Sequence, residues 1–218
     1  MLSAIDDPTN HSVPILDTFE DSINKSISYL VMPFLRLTDS PPFEVVEEVL
    51  DFVDQILEVR SGYEFIKLCV ANAFSGSRLH AFTWRCTSVC LSHCDETMLI
   101  LLLSYRDCSL KNVLMDATRM YPLGFHPVDD IFLDDLTTLA PVIPRLEVGV
   151  KYYFVDYGIS SYFPAGSQRD LVLGIAGRDQ DVPELSKVVP YDPFKVDIFT
   201  IGNVLRGEFQ AVGFHPPG

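Results

Sequence analysis

Residues 105–116 read Tyr-Arg-Asp-Cys-Ser-Leu-Lys-Asn-Val-Leu-Met-Asp, and they contain the features that indicate the fold of this chain. Asp107 and Asn112 lie five positions apart, and the apolar residues that follow favour a β-strand over residues 112–116. A second run, rich in Val, Tyr and Phe, predicts a strand over residues 150–156. The two strands are expected to form a hairpin, and residues 117–149 are interpreted as an insertion at its tip.

Three further motifs follow in a fixed order. Asp156-Tyr157-Gly158 comes directly after the second strand, and Val182-Pro183-Glu184 ends 28 residues after Asp156. The third motif spans Asp197 to Gly202 and opens an apolar segment that predicts a helix from Val196 to Leu205. Taken singly, such aspartates are typical of turns and caps. Their shared order and spacing favour a common function.

This order of motifs resembles that of the eukaryotic-type protein kinase domain, and it is similar to the kinase-like proteins common in fungi. The resemblance covers roughly residues 12–59 and 105–205. It implies an α+β, protein kinase-like fold with a mainly helical large lobe and a short β-hairpin around the catalytic site. It also implies that this fold is truncated, because most of the small lobe and the last large-lobe helices have no counterpart in the sequence.

The resemblance implies a role for each polar residue near the hairpin. Asp107 would accept or orient the substrate hydroxyl, and Lys111 would place its ammonium group near the γ-phosphate of ATP. Asn112 and Asp156 would supply oxygen ligands for Mg²⁺. Arg106 would pair with the segment between Asp156 and Glu184, which corresponds to the activation segment.

Two aromatic residues depart from the family pattern. Tyr105 replaces the usual His, and Tyr157 replaces the usual Phe, so a ring is kept at each position. The resemblance further implies that Asp197 accepts hydrogen bonds from the backbone N–H groups around Tyr105 and Arg106.

The adenine-binding residues are also implied by the resemblance. An apolar, partly β-branched run predicts a buried strand over residues 27–37 that passes into an extended connector at Pro33. In the family this connector is the hinge, with Met32 at the gatekeeper position. The Pro33 carbonyl and the Leu35 N–H would then contact adenine, and Leu114 would form the apolar surface beneath it.

The chain divides into five segments on these grounds. Apolar residues at helical spacing predict a helix within residues 44–58, and its acidic residues are expected to form a solvated face. The segments are a small-lobe remnant with the hinge (1–37), the first large-lobe helices (38–59), an anomalous insertion (60–104), the catalytic core (105–205) and a divergent tail (206–218).

Residues 60–104 differ in composition from their surroundings. Residues 61–104 hold four of the five cysteines and the only Trp, contain no proline, and carry three acidic and three basic residues. Translated intron sequence or another gene-model error is one hypothesis for this segment, which includes a possible helix over residues 97–104. Zinc binding competes with ordinary packing for one cluster, which comprises His80, Cys86, Cys90, His93 and Cys94.

The overall charge excludes some partners. The formal net charge is −14, which repels nucleic acid and anionic membrane surfaces. The longest apolar run, residues 98–103, is too short to cross a bilayer. Residues 1–14 carry no signal-peptide pattern, so an intracellular location, cytoplasmic or nuclear, is expected. A protein substrate or a protein binding partner is the expected partner class.

Two function classes remain open. One is a protein kinase that uses ATP and Mg²⁺, and the other is an inactive kinase fragment or pseudokinase that acts as a binding module. The intact residues Asp107, Asn112 and Asp156 favour the first class. The second class is favoured by the lack of a Gly-rich phosphate loop before Met32, where Lys25 is the only lysine. Glu184 also lacks the arginine that would pair with it in the family.

Overall fold

The computed structural model describes residues 10–58, 103–163 and 170–211. A 3-10 turn at Leu110–Asn112 precedes the fifth strand. In chain order, the helices and strands are β1 (Asp17–Glu20), β2 (Ser28–Val31), β3 (Arg36–Leu37), α1 (Val46–Glu58), β4 (Leu103–Ser104), β5 (Val113–Asp116), α2 (Arg145–Val148), β6 (Lys151–Phe154), β7 (Ser161–Tyr162), β8 (Val172–Gly174), β9 (Ser186–Tyr191) and α3 (Pro193–Ala211). The fold therefore mixes helices with small antiparallel sheets.

The described residues separate into two compact units. The first contains residues 10–52 and 113–155, and the second contains residues 53–58, 103–112, 156–163 and 170–211. Helix α1 contributes residues to both units. Each unit is described by itself below.

The first unit is built on a three-stranded sheet in the order β3-β5-β6. The predicted hairpin is confirmed, with β5 and β6 antiparallel and Val113 paired with Phe154. Alternate residues of both strands are buried, as expected for a sheet with one face on the core. Phe52 of α1 packs edge-on against Tyr152 at 5.0 Å between ring centroids, which joins helix and sheet in one apolar core.

The strand predicted before Pro33 is confirmed as β2, and residues 32–35 form the expected connector. The segment differs from the prediction in two respects, the first being that residues 36–37 form a separate strand, β3. Strand β2 is also exposed, with Tyr29 at 42% and Leu30 at 58%. It pairs with β1 in a two-stranded sheet, and a sheet of that size leaves its faces open to solvent unless another layer covers them.

The insertion at residues 117–149 is held by a buried arginine from β3. Arg36 donates from Nη1 to the Asp130 carbonyl at 2.8 Å and forms an ion pair with the Asp130 carboxylate at 2.7 Å. Its guanidinium also lies 4.6 Å from the ring centroid of Tyr121 and 4.4 Å from that of Phe125. A planar cation can satisfy both kinds of contact at once, which suits it to anchoring a loop.

A second buried arginine, Arg145 of α2, reaches out of the insertion. Its Nη1 donates to the Thr38 carbonyl and to the Tyr152 hydroxyl, at 3.2 and 3.1 Å. Its Nε lies 3.7 Å from Glu48 Oε2. Glu48 is only 4% exposed, so the expectation of a fully solvated acidic face on α1 is wrong at this position. A buried carboxylate needs a partner, and Arg145 supplies one.

His11 is also buried. It is 3% exposed, and its Nδ1 lies 2.7 Å from the Tyr152 carbonyl oxygen. Beside it, Ser12 forms a bridge to Phe154 of β6. The segment before β1 therefore packs on the sheet, and this buries the imidazole.

The second unit is organised by α3. Val196 of α3 packs with Val182 and Tyr191 in a buried cluster, and Phe194 lies 5.3 Å from Phe163 between ring centroids. The helix predicted for residues 196–205 is confirmed, but it continues to Ala211. It passes through Gly207 because a glycine lowers helix stability without making the helical backbone impossible.

Strand β4 corrects another expectation. Residues 103–104 were predicted to end a helix, but they pair with Ser161 and Tyr162 of β7 as an antiparallel strand. The rest of that prediction, the zinc-ligand hypothesis and the gene-model hypothesis fall on residues outside the described ranges. Within those ranges, no helix combines the length and apolarity needed to span a bilayer.

Candidate catalytic site

The loop before β5 is held by Asp197, a fully buried residue of α3. Its Oδ2 accepts hydrogen bonds from the Ser104 hydroxyl at 2.8 Å and from the Tyr105 N–H at 3.0 Å. Its Oδ1 accepts from the Arg106 N–H at 2.5 Å. The backbone contacts expected of Asp197 are therefore formed. Three donors compensate the cost of burying this carboxylate, so helix and loop are fixed to each other.

Asp107 and Asn112 form the centre of the site. The Asn112 Nδ2 donates to the Asp107 carbonyl at 3.0 Å and to Asp107 Oδ2 at 2.8 Å. The 3-10 turn makes this reach possible, because it closes with the Asn112 N–H on the Ser109 carbonyl at 2.9 Å. With its amide nitrogen committed to Asp107, Asn112 keeps Oδ1 as an acceptor for another group.

Arg106 connects this loop to the segment that follows Asp156. Its Nη1 donates to the Ile159 carbonyl at 3.3 Å, and its Nη2 donates to the Tyr191 hydroxyl at 2.9 Å. The contact expected between Arg106 and the activation-segment region is thus present. Arg106 also adopts a φ of 67°, a left-handed conformation that costs energy in a residue with a Cβ.

Asp156 shares that backbone conformation. Its φ is 58°, and its Oδ1 accepts the Gly158 N–H at 3.2 Å. The side chain of Asp156 is exposed. Strand β5 begins directly after Asn112, and β6 ends two residues before Asp156. Val113, the first residue of β5, pairs with Phe154, the last residue of β6. Asn112 and Asp156, the two expected metal ligands, therefore flank the same end of the hairpin along the chain.

Tyr105 links these two parts of the site. Its ring lies edge-on to Tyr157 at 5.2 Å, and its hydroxyl donates to the Asn112 carbonyl at 3.4 Å. Burial is the main cause that raises the pKa of Tyr105, and the charges of Asp107 and Asp156 raise it further. The phenol therefore remains protonated at neutral pH and acts as a packing group and a hydrogen-bond donor.

The chemistry of the donor set fits a hard cation. Asn112 offers an amide oxygen and Asp156 a carboxylate, which are the ligand types that Mg²⁺ takes together with phosphate oxygens and water. In the described ranges, no group of three His, Cys, Asp or Glu residues forms an all-protein metal cage. Mg²⁺ bound through nucleotide phosphates does not need such a cage.

The remaining predicted residues lie at two places. Lys111 is in the 3-10 turn between Asp107 and Asn112, with an exposed side chain. The expected adenine contacts are all in the first unit. Met32, Pro33 and Leu35 form the connector, and β3 follows at once, where Leu37 pairs with Leu114 of β5. The connector and the half-buried Leu114 thus belong to adjacent parts of one sheet region.

Some contacts of the site were missed by sequence reasoning. The Arg178 N–H donates to Asp107 Oδ1 at 2.6 Å, and Asn203 of α3 donates to Asp179 Oδ2 at 2.7 Å. A backbone donor has no residue type that identifies it, although Gly177 is a signal of close backbone approach. Among the described residues, Glu184 Oε2 is buried and has no hydrogen-bond partner.

Asp107, Asn112 and Arg106 therefore belong to one hydrogen-bonded arrangement that includes α3 and the segment after Asp156. No family model, curated protein or solved structure was found to match this chain.

Proposed function

We propose that this chain is a protein kinase-type phosphotransferase that moves the γ-phosphoryl group of ATP to a protein hydroxyl. The observation that carries the proposal is the triple acceptance by Asp197 of hydrogen bonds from Ser104, Tyr105 and Arg106. These bonds support the proposal because they fix the backbone directly before Asp107. Phosphoryl transfer depends mainly on positioning and electrostatics, so a rigid loop is the contribution expected of the protein.

Each residue then has a defined task. Asp107 orients the substrate hydroxyl and receives its proton as the oxygen attacks the γ-phosphorus and the bond to the β–γ bridging oxygen breaks. Lys111 stabilises negative charge on the transferring group. Asn112 and Asp156 would hold Mg²⁺, which neutralises phosphate charge when bound. Arg106 keeps the loop joined to the segment after Asp156.

The resemblance in motif order gives the adenine contacts of this proposal. They are the Pro33 carbonyl as an acceptor and the Leu35 N–H as a donor, which would match the donor and acceptor edge of adenine. Leu114 offers apolar surface for the purine ring. This assignment follows the order of the motifs, and it is part of the same proposal.

A second candidate function is a binding module without transfer. It is favoured by the character of residues 1–61, which contain no glycine and so form no Gly-rich phosphate loop themselves. Lys25, the one lysine before Met32 in this sequence, is exposed in the β1–β2 hairpin and lies 3.9 Å from Glu20, which does not suit a phosphate-binding role. This candidate keeps the fold and the protein partner but loses the reaction.

Two measurements separate the candidates. The first is the thermal shift produced by ATP with and without Mg²⁺, and the second is phosphate transfer to a mixed protein substrate. In the kinase proposal, Asp107→Ala lowers transfer by roughly 10²–10⁴-fold, the usual contribution of a positioned acid or base. A Mg²⁺-dependent shift without transfer in the wild-type chain would support the binding module.

Asp135→Ala is the matched control. Asp135 is an exposed aspartate whose side chain bonds only within its own turn, to Thr137 and Thr138, among the contacts described for it. This variant should transfer phosphate like the wild type. Equal transfer by Asp107→Ala and Asp135→Ala would overturn the kinase proposal, and so would a wild-type chain that neither binds the nucleotide nor transfers phosphate.

A further inference from the structure

We propose that residues 175–181, here called the Gly177 turn, are a positioning element that holds the Asp107 carboxylate in its working orientation from α3. The inference rests on the proposed function, and it assigns roles to Arg178, Asp179 and Asn203. All the residues concerned belong to the second unit.

The Gly177 turn supplies one of two donors that fix Asp107. The Arg178 N–H donates to Oδ1 at 2.6 Å, while the Asn112 side chain donates to Oδ2 at 2.8 Å. One donor on each oxygen prevents the carboxylate from rotating about its last torsion. Each carboxylate oxygen has a second lone pair, so a substrate hydroxyl can still bond to Asp107.

Glycine at position 177 makes this approach possible. Gly177 has a φ of +127°, a conformation that side chains rarely adopt. A Cβ there would lie 3.3 Å from the Arg106 carbonyl oxygen and 3.7 Å from Asp107 Oδ1. The first of these atoms belongs to the backbone of the catalytic loop, so it cannot move aside cheaply. A larger residue would push the turn away from Asp107.

Side chains within the turn and on α3 hold it in place. Gln180 Nε2 donates to the Gly177 carbonyl at 2.6 Å, which closes the turn on itself. Asp179 Oδ1 accepts the Asp181 N–H at 3.0 Å, and Asp179 Oδ2 accepts from Asn203 Nδ2 at 2.7 Å. Asp179, which bonds to α3, therefore directly follows Arg178, whose N–H contacts Asp107.

Helix α3 thus reaches Asp107 by two routes. Asp197 holds the backbone before Asp107, and Asn203 holds the Gly177 turn that contacts its side chain. The two α3 residues are six positions apart, about 9 Å along the helix axis. Two separated attachments to one rigid helix restrict both the position and the rotation of the carboxylate.

A matched pair of substitutions at one position tests this role. Arg178→Pro removes the N–H donor, whereas Arg178→Ala removes the side chain and keeps the donor. Because small misplacements of a catalytic group cost up to about 10²-fold, Arg178→Pro should lower kcat by roughly 10–100-fold while KM for ATP changes less than about 2-fold. Arg178→Ala keeps the N–H donor, so it should lower kcat clearly less than Arg178→Pro does.

Amide hydrogen exchange tests the contact between the Arg178 N–H and Asp107 without an activity measurement. The Arg178 amide should exchange slowly in the wild-type chain and at least about 10-fold faster in Asp107→Ala, because that variant lacks the acceptor. The Asp181 amide, bonded to Asp179, should exchange equally in both proteins. An Arg178 amide that exchanges alike in both proteins would overturn the inference.

Other outcomes also decide the question. A higher kcat in Arg178→Pro would overturn the positioning role, because it would mean that the turn obstructs Asp107. If Arg178→Pro does not fold, Asn203→Ala serves instead, with the same expected fall in kcat at unchanged KM. A wild-type chain without transfer rejects the proposed function, while the exchange experiment still decides whether Asp107 holds the turn.

Discussion

Single buried charges determine much of the first unit. Arg145 is 1% exposed and bonds to Thr38, Tyr152 and the Pro41 carbonyl while it faces Glu48. Removing the guanidinium would take away the charge that compensates the buried Glu48 carboxylate and the donors to Thr38, Tyr152 and Pro41. Arg145 therefore ties the insertion to the start of α1 and to β6.

Arg145→Ala should lower the free energy of unfolding by about 3–5 kcal/mol, because it leaves Glu48 as an uncompensated buried charge. Urea denaturation measures this change. Arg119→Ala is the control, since Arg119 is in the same insertion but is exposed and donates to the Gly149 carbonyl at 3.3 Å. The control should change stability by no more than about 0.5 kcal/mol. Similar losses in both variants would contradict the anchoring role of Arg145.

At the scale of elements, α3 carries the second unit. It supplies buried apolar residues such as Val196 and the polar residues that hold the loop and the Gly177 turn. Gly207 is an exposed glycine within the helix, and a Cβ added there would meet no atom within 4 Å. Glycine loses more backbone entropy on folding than alanine does.

Gly207→Ala should therefore raise the free energy of unfolding by about 0.5–1 kcal/mol. Gly124→Ala makes the same chemical change at a position with equally open space but a φ of +76°, so it should destabilise the protein. Thermal or urea unfolding of both variants measures whether each substitution raises or lowers the free energy of unfolding. A gain in stability from both substitutions would show that backbone conformation does not control the outcome.

At the scale of the whole molecule, the two units share a sensitivity to high pH. Burial raises the pKa of Tyr152 in the first unit to about 12, partly offset by the charge of Arg145. Burial likewise raises the pKa of Tyr105 in the second unit. In the unfolded chain both phenols ionise near their ordinary pKa of 10, so the folded state binds more protons above that pH.

The free energy of unfolding should therefore be unaffected by these phenols below about pH 10 and should fall as the pH rises from about 10 to 12. Tyr152 alone accounts for a loss of roughly 2–3 kcal/mol across that range, at 1.36 kcal/mol per pKa unit. Denaturation at a series of pH values measures this fall, and Tyr152→Phe should reduce its slope. An unchanged slope in Tyr152→Phe would contradict the prediction.

Sequence patterns predicted the elements that have strong local signals. The apolar spacing of Val49, Phe52 and Ile56 identified α1, and the β-rich runs beside Asn112 and Asp156 identified the β5–β6 hairpin. The contact of Asp197 with the loop was expected from the resemblance to protein kinases. The helix and the hairpin are local in sequence, so periodicity predicts them.

Tertiary contacts decided the remainder. Glu48 is buried because Arg145, 97 positions away, lies against it, and His11 is buried because its segment packs on β6. Neither pairing leaves a local pattern. Strand β2 differs in the other direction. Its apolar composition suggested burial, but it is exposed because pairing with β1 does not cover its faces.

The sequence by itself determined the order of the four motifs, the hairpin and the two long helices, because these depend on residue type and spacing along the chain. Only the tertiary structure decided that Asp107 is held between Asn112 and the Arg178 N–H, and that α3 supports both the loop and the Gly177 turn. The physical reason is that a backbone N–H is present in almost every residue. Folding alone selects which one meets a given carboxylate.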